Sequence, residues 1–166
     1  LSFREKTNIA KNIESFCPDI IELPALRDKK EDEIVVKTIS SVITKTAVLI
    51  NAGVTEEEIT RAFGAVKSAK EVWLQIALPV STVQMEYMYH LKAAAMLEKI
   101  SALCSFAAKT GAKVEFKALD ASRAEAGFLA EASVAAVKAG ANAVTVCDDA
   151  GVFMPEDAAN AVKELV

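Results

Sequence analysis

Four prolines, six glycines, three cysteines and one histidine in 166 residues leave several classes of protein out of reach. So little glycine and proline excludes a collagen-like repeat or a low-complexity tract, and 52% hydrophobic residues exclude a disordered chain. Cys17, Cys104 and Cys147 are odd in number, far apart and form no CxxC pair. That is no disulfide scaffold, and a reducing cytoplasm is the expected compartment. Charge of neither sign dominates, with 19 basic against 23 acidic side chains and a net charge of −4. No run of lysine or arginine marks a nucleic-acid partner. No apolar run reaches the ~18 residues of a membrane span, and the opening LSFREKTN carries no signal-peptide pattern. A soluble cytoplasmic domain with a real core is the expectation, with neither nucleic acid nor membrane as partner.

What is present is an alternation of short apolar runs with longer amphipathic stretches. The runs are Asp19–Leu23, Thr46–Asn51, Val72–Leu78, Val114–Ala118 and Ala143–Cys147. They are aliphatic or β-branched, and most show little polar alternation, as strands buried on both faces of a parallel sheet do. Their starts lie too far apart for hairpins, so each link must be a crossover, and a crossover with a helix makes a βα repeat. Ser2 with Glu5, and Thr55 with Glu58, have the spacing of capping boxes. Gly111 and Gly140 stand where left-handed C-caps fall, and Pro155 opens a last helix. The segment Gln84–Thr110 reads as one long helix, with Met85, Met88 and Met96 as packing residues and His90 within it. Cys147 reads as a buried strand residue. Two stretches, 108–114 and 137–144, each run from a helix end through Gly-Ala into a strand. Such repeats belong to a βα barrel or a doubly wound sheet.

A doubly wound sheet would carry a glycine-rich phosphate loop after its first strand, and none is present. A barrel instead spreads polar residues over the C-terminal ends of many strands. Here those are Glu22, Asn51, Ser81 with Thr82, Lys117 with Asp120, then Asp148 and Asp149. The expected fold is α/β, a partial (β/α)8 TIM barrel in one domain over residues 1–166. It would hold five strands and six helices, about strands 2 to 6. A complete barrel needs about 250 residues, so strands 1, 7 and 8 are expected to be missing.

These positions resemble a family. Leu1–Leu26, with Ile21-Glu22, is similar to the first helix and second strand of the barrel domain shared by 2-isopropylmalate synthase, homocitrate synthase and 3-hydroxy-3-methylglutaryl-CoA lyase (HMGL-like). Pro79-Val80-Ser81-Thr82, then Met85-Glu86-Tyr87, resembles the synthases' fourth-strand exit. Residues Val114 to Arg123, VEFKALDASR, resemble the fifth-strand motif VRFSAEDATR, and Asp148-Asp149-Ala150-Gly151 with Pro155-Glu156 resembles the sixth-strand DTVG…TP. The resemblance covers nearly the whole chain. It implies a Claisen condensation, in which a divalent metal (Mg, Mn or Zn) polarises a 2-oxo acid and a base makes an enolate from an acyl-CoA. It implies those two small molecules as partners. The alternative is a divergent, non-catalytic member binding a small ligand or a partner chain, or a lyase or aldolase of the same family.

Departures from the motifs are equally informative. The family's metal ligands are an aspartate ending strand 1 and an HxH pair on strand 7, and this chain has one histidine, His90. From this chain alone no metal site is expected. The fifth-strand arginine, serine and glutamate are replaced by Glu115, Lys117 and Leu119. The sixth-strand threonine, which meets a substrate carboxylate in the family, is replaced by Asp149, and one carboxylate repels another.

The candidate substrate-binding residues are therefore Glu22, Asn51, Ser81, Lys117, Asp120, Arg123, Asp148 and Asp149. Asp148, directly at a strand's C-terminal end, is the strongest of them, and all but Asp148 and Asp149 also have a plainer reading. Glu22 either orients metal water or substrate, or makes a salt bridge at the rim. Asn51 before Ala52-Gly53 binds ligand or makes a turn, and Ser81 and Thr82 donate to substrate or cap a helix. Lys117 shares a strand face with Glu115 and Leu119. It takes a ligand or acid–base role, or pairs with Asp148, Asp149 or Glu22. Asp120 and Arg123 serve the site or tie down their loop. A sheet short of three strands leaves edges open, so self-association, a homo-oligomer, is also expected.

Overall fold

In the computed structural model, residues 2–27, 30–163 and 165 are described. The elements are α1 (Phe3–Ser15), β1 (Ile20–Leu23), α2 (Lys30–Val42), β2 (Ala47–Asn51), α3 (Glu56–Val66), β3 (Val72–Pro79), α4 (Thr82–Tyr89), α5 (Ala93–Ala108), β4 (Lys113–Leu119), α6 (Phe128–Lys138), β5 (Ala143–Val146) and α7 (Pro155–Lys163), with a 3-10 turn at Ala121–Arg123. All five strands lie in one parallel sheet, ordered β1-β2-β3-β4-β5. The expected α/β class and partial-barrel architecture hold.

The chain forms two compact units, residues 1–75 with 109–113, and residues 76–108 with 114–166. In the first, β1 pairs with β2 through Glu22 opposite Leu49, and β2 with β3 through Asn51 opposite Gln75. Val36, Ile43, Val48, Ile50, Ile59 and Val66 are fully buried there. Each such side chain stabilises the fold by roughly 1.5–3 kcal/mol relative to exposure. Glu14, at the end of α1, accepts from the amides of Thr44 and Lys45 at 2.7 Å and of Thr46 at 3.3 Å, fastening the helix to the turn before β2. At the foot of β3, the Glu71 carboxylate takes Lys113 Nζ at 2.9 Å and Trp73 Nε1 at 2.8 Å, with the ammonium 5.1 Å from the indole centre.

In the second unit β4 pairs with β5, Lys117 opposite Thr145. Val114, Phe116 and Ala118 are fully buried, whereas Glu115, Lys117 and Leu119 are half-buried, so β4 alternates as the two-residue period requires. Met96 and Ile100 of α5 and Ala132 of α6 complete that core.

The caps fall where expected. Ser2 and Glu5 form the reciprocal box, with the Ser2 amide donating to Glu5 at 2.7 Å. Thr55 accepts from the Glu58 amide, while Glu58 reaches back to the Val54 amide at 2.8 Å. Gly111 and Gly140 both take positive φ. Three expectations need correction. The single helix over 84–110 is two helices, because His90 adopts the left-handed conformation (φ 54°, ψ 36°) and its amide and that of Leu91 both return to the Met85 carbonyl. Met88 is exposed while Met85 and Met96 are buried, so two of the three methionines pack as expected and Met88 faces outward. Cys147 is half-buried and follows β5, its amide bonded to the Ala118 carbonyl and its carbonyl to the Ala121 amide. Among the described residues no helix is long and apolar enough to cross a membrane.

Candidate functional site

Every strand-end candidate occupies the C-terminal end of its strand or the loop that follows, the edge at which parallel α/β sheets hold ligands. In the first unit these are Glu22 and Asn51. Glu22 is exposed and borders an apolar groove of about 240 Å³ with Ile9, Ile13, Ile21, Leu23 and Ile39. Asn51 lies in a separate cleft of about 80 Å³ with Gly53, Glu58 and Arg61. Its Oδ1 accepts from the Gly53 amide at 3.0 Å, the Asx turn anticipated from the sequence, and its Nδ2 reaches Gln75 Oε1 at 3.4 Å. Gln75, 3% exposed inside an otherwise apolar strand, is the polar residue the sequence reading passed over. Its signal is the one amide interrupting the run Val72–Leu78.

The second unit gathers more. Ser81 caps α4 by accepting from the Gln84 amide at 3.3 Å and donates its own hydroxyl to Asp120 Oδ2. Asp120, 0% exposed, also receives Arg123 Nε at 2.8 Å and Nη2 at 2.7 Å. Its backbone is left-handed (φ 55°), and its amide donates to Asp149 Oδ2 at 2.7 Å. Ser81, Asp120, Arg123 and Asp149 are thus one knot joining the loops after β3, β4 and β5. The Arg123 guanidinium, followed by the Ser81 hydroxyl, holds the Asp120 carboxyl below the ordinary aspartate range against the opposing pull of burial and Asp148. Thr82, beside the knot, donates to Glu125 at 3.4 Å.

Asp148 stands next to this knot and folds back on its own loop. Its carboxylate accepts from the Val152 amide at 3.1 Å and the Phe153 amide at 2.9 Å. It too is held below its ordinary range, first through the dipole of the Ser122 hydroxyl, which is buried yet meets hydrogen-bond geometry with no described residue, then by these amides. Lower on β4, Glu115 accepts from the Thr145 hydroxyl.

Lys117 corrects one expectation. It forms no ion pair with Asp148, Asp149 or Glu22 among the described residues, since the two aspartates at its own sheet end are engaged by backbone amides. A half-buried position tolerates what full burial would not. His90 ends α4 and joins none of these groups, and Cys104 is a fully buried thiol pushed up to about 12 by desolvation. No group of three or more His, Cys, Asp or Glu among the described residues could hold a metal ion. With Asp120, Asp148 and Asp149 all bonded within the chain, these residues do not fit a metal by themselves.

An all-parallel βα sheet in sequential strand order, with polar residues at its strand ends, is an α/β protein of the partial-barrel class. The particular family follows from comparison. The HMGL-like family model matches residues 1–166, and the chain belongs to that family. It is similar to 2-isopropylmalate synthases of Staphylococcus carnosus (32% identical, over 99% of this chain and 32% of the relative), Halalkalibacterium halodurans (31%, over 95% and 30%) and Solidesulfovibrio magneticus (30%, over 98% and 32%). The chain spans about a third of the length of the curated relatives it matches.

Proposed function

We propose that residues 1–166 are one partial barrel domain taking part in an acyltransferase reaction, the condensation of an acyl-CoA with a 2-oxo acid. The observation that carries this reading is the match of the whole chain to relatives named 2-isopropylmalate synthase. The strand-end residues of the parallel sheet support it. Within the second unit, Lys117 and Arg123 would serve the ligand, while Glu22 and Asn51 are proposed as contacts of the first unit taken by itself. Ser81, Asp120 and Asp149 would keep Arg123 and its loop in place, and Asp148 would shape the loop after β5. A divalent metal would require ligands that the described residues do not offer. The setting we infer is cytoplasmic, with no nucleic acid or membrane partner.

The test is thiol release from acetyl-CoA by the purified chain, alone and with a panel of 2-oxo acids. Release that depends on one 2-oxo acid supports the reading. Release with none of them favours the second reading, a divergent member that binds without catalysis or a related lyase. That alternative draws on the strand-end carboxylates being engaged within the chain.

A homo-oligomer belongs to the same proposal. Ile9 and Ile13 of α1 are 41% exposed, α7 buries none of its described side chains, and β1 and β5 are the outer strands. Light scattering at micromolar concentration should show a mass above 17.7 kDa. A monodisperse monomer with a cooperative melt would overturn it.

A further inference from the structure

Building on the 2-oxo acid reading above, we propose that Lys117 receives the carboxylate of the ligand and so sets the preference for an anion over a neutral analogue. Every acidic group around the ends of β4 and β5 already has its partner. Asp120 holds Arg123 and Ser81, Asp149 holds the Asp120 amide, Asp148 holds the amides of Val152 and Phe153, and Glu115 holds the Thr145 hydroxyl. Arg123 is fixed in turn, with two of its donors on Asp120.

Lys117 is different. It makes no ion pair or side-chain hydrogen bond with any described residue, although it is half-buried on a strand. Partial desolvation penalises an ammonium that has no counter-ion, and a bound anion relieves the penalty. Glu115, two residues earlier on the same face, could have neutralised it. That carboxylate is instead turned to Thr145, the residue directly opposite Lys117 in the register. Lys117 also lies two residues from the C-terminal end of β4, the end where ligands of such sheets are held. An ammonium is a compact point charge and needs no bidentate geometry, which suits a small carboxylate.

Calorimetric titration of the full chain with pyruvate, and with pyruvamide as its neutral isostere, reads this preference. The chain should bind pyruvate more tightly. Lys117→Met should weaken pyruvate by roughly 10- to 100-fold, as loss of a hydrogen bond to a charged group does, and leave pyruvamide unchanged. Lys117→Arg should recover most of the difference. Neither variant should melt below the unmodified chain, because Lys117 bonds no described residue and methionine carries no charge to desolvate. Pyruvate binding unchanged in Lys117→Met, or both ligands weakened equally, overturns the assignment while the acyl-transfer reading stands. Lys117-dependent binding of acetate and phosphate with no preference for pyruvate keeps the anion anchor and overturns the substrate class. No anion bound by the unmodified chain overturns both.

Discussion

At the end of β2 the chain turns on Asn51 and Gly53, two residues apart, whereas at the end of β4 it turns on Asp120, whose partners Ser81 and Asp149 lie 39 and 29 positions away. Both ends need a left-handed residue. The first uses glycine, Gly53 at φ 80°, and holds it with one neighbouring amide oxygen. The second uses a non-glycine residue, Asp120 at φ 55°, in a conformation that costs about 1–2 kcal/mol for an L-residue with a Cβ. Four hydrogen bonds from three loops offset that strain. The hydrogen bond that holds the first turn engages no other loop. A distributed knot fixes three strand ends at once, and a rigid platform of that kind is what a ligand site requires.

The largest effect should therefore come from Asp120→Ala. The substitution strands the buried Ser81 hydroxyl and releases Arg123, whose half-exposed guanidinium can partly recover in water. A loss of about 2–4 kcal/mol is expected, or roughly 5–15 °C in melting temperature. A loss no greater than that of Asn51→Ala would erase the contrast between the two ends. The same group sets an acid limb. Its folded pKa is depressed, so its contribution is complete above the unfolded value of about 3.9 and is lost as pH falls through the lower folded value. Urea midpoints measured down from pH 6 should fall less steeply below about pH 4 for Asp120→Asn than for the unmodified chain.

Gly53→Ala should come next and would sharpen the comparison from the other side. A Cβ there would lie 2.6 Å from Glu58 Cβ and 2.7 Å from its Oε2, on a backbone at φ 80°. Glu58 must then shift, and it is the carboxylate that holds the Val54 amide and the Thr55 hydroxyl at the start of α3. The expected loss is about 2 kcal/mol by chemical denaturation. A neutral result would mean that the β2 turn is as replaceable at Gly53 as at Asn51.

Asp149→Ala should cost less, about 1 kcal/mol, because the carboxylate it removes is exposed and water can take its place as acceptor. Asp149→Asn keeps an oxygen acceptor and should melt close to the unmodified chain. If Asp149→Asn instead matched Asp149→Ala, the charge of Asp149, not its hydrogen bond, would be what braces Asp120.

The strands were legible in the sequence because buried parallel strands read as apolar runs, and each observed strand begins within one residue of its run. The Asx turn at Asn51 and the cap at Ser81 were equally readable, since both are written within three residues. The knot was legible only as a resemblance of motifs. No local rule pairs Ser81 with Asp120, or Asp149 with an amide on another loop, because those contacts depend on which strands become neighbours. The break at His90 escaped for a different reason. Gln84–Thr110 is rich in helix formers, and the left-handed residue that divides it is neither glycine nor asparagine.

The smallest effect belongs to Asn51→Ala. Two contacts could account for any loss, the bond from the Gly53 amide at 3.0 Å and the longer one to Gln75 at 3.4 Å. The shorter should dominate, because hydrogen bonds weaken as they lengthen beyond about 3.2 Å. About 0.5–1 kcal/mol is expected for the alanine variant. Asn51→Asp separates the two contacts, since it keeps the oxygen that accepts from Gly53 and removes the amide donor facing Gln75. The aspartate variant should unfold at nearly the same denaturant concentration as the unmodified chain, with alanine measurably below both. Were aspartate the worse of the two, the buried Gln75 contact would be the one that matters. The end of β2 would then be held across strands, as the end of β4 is.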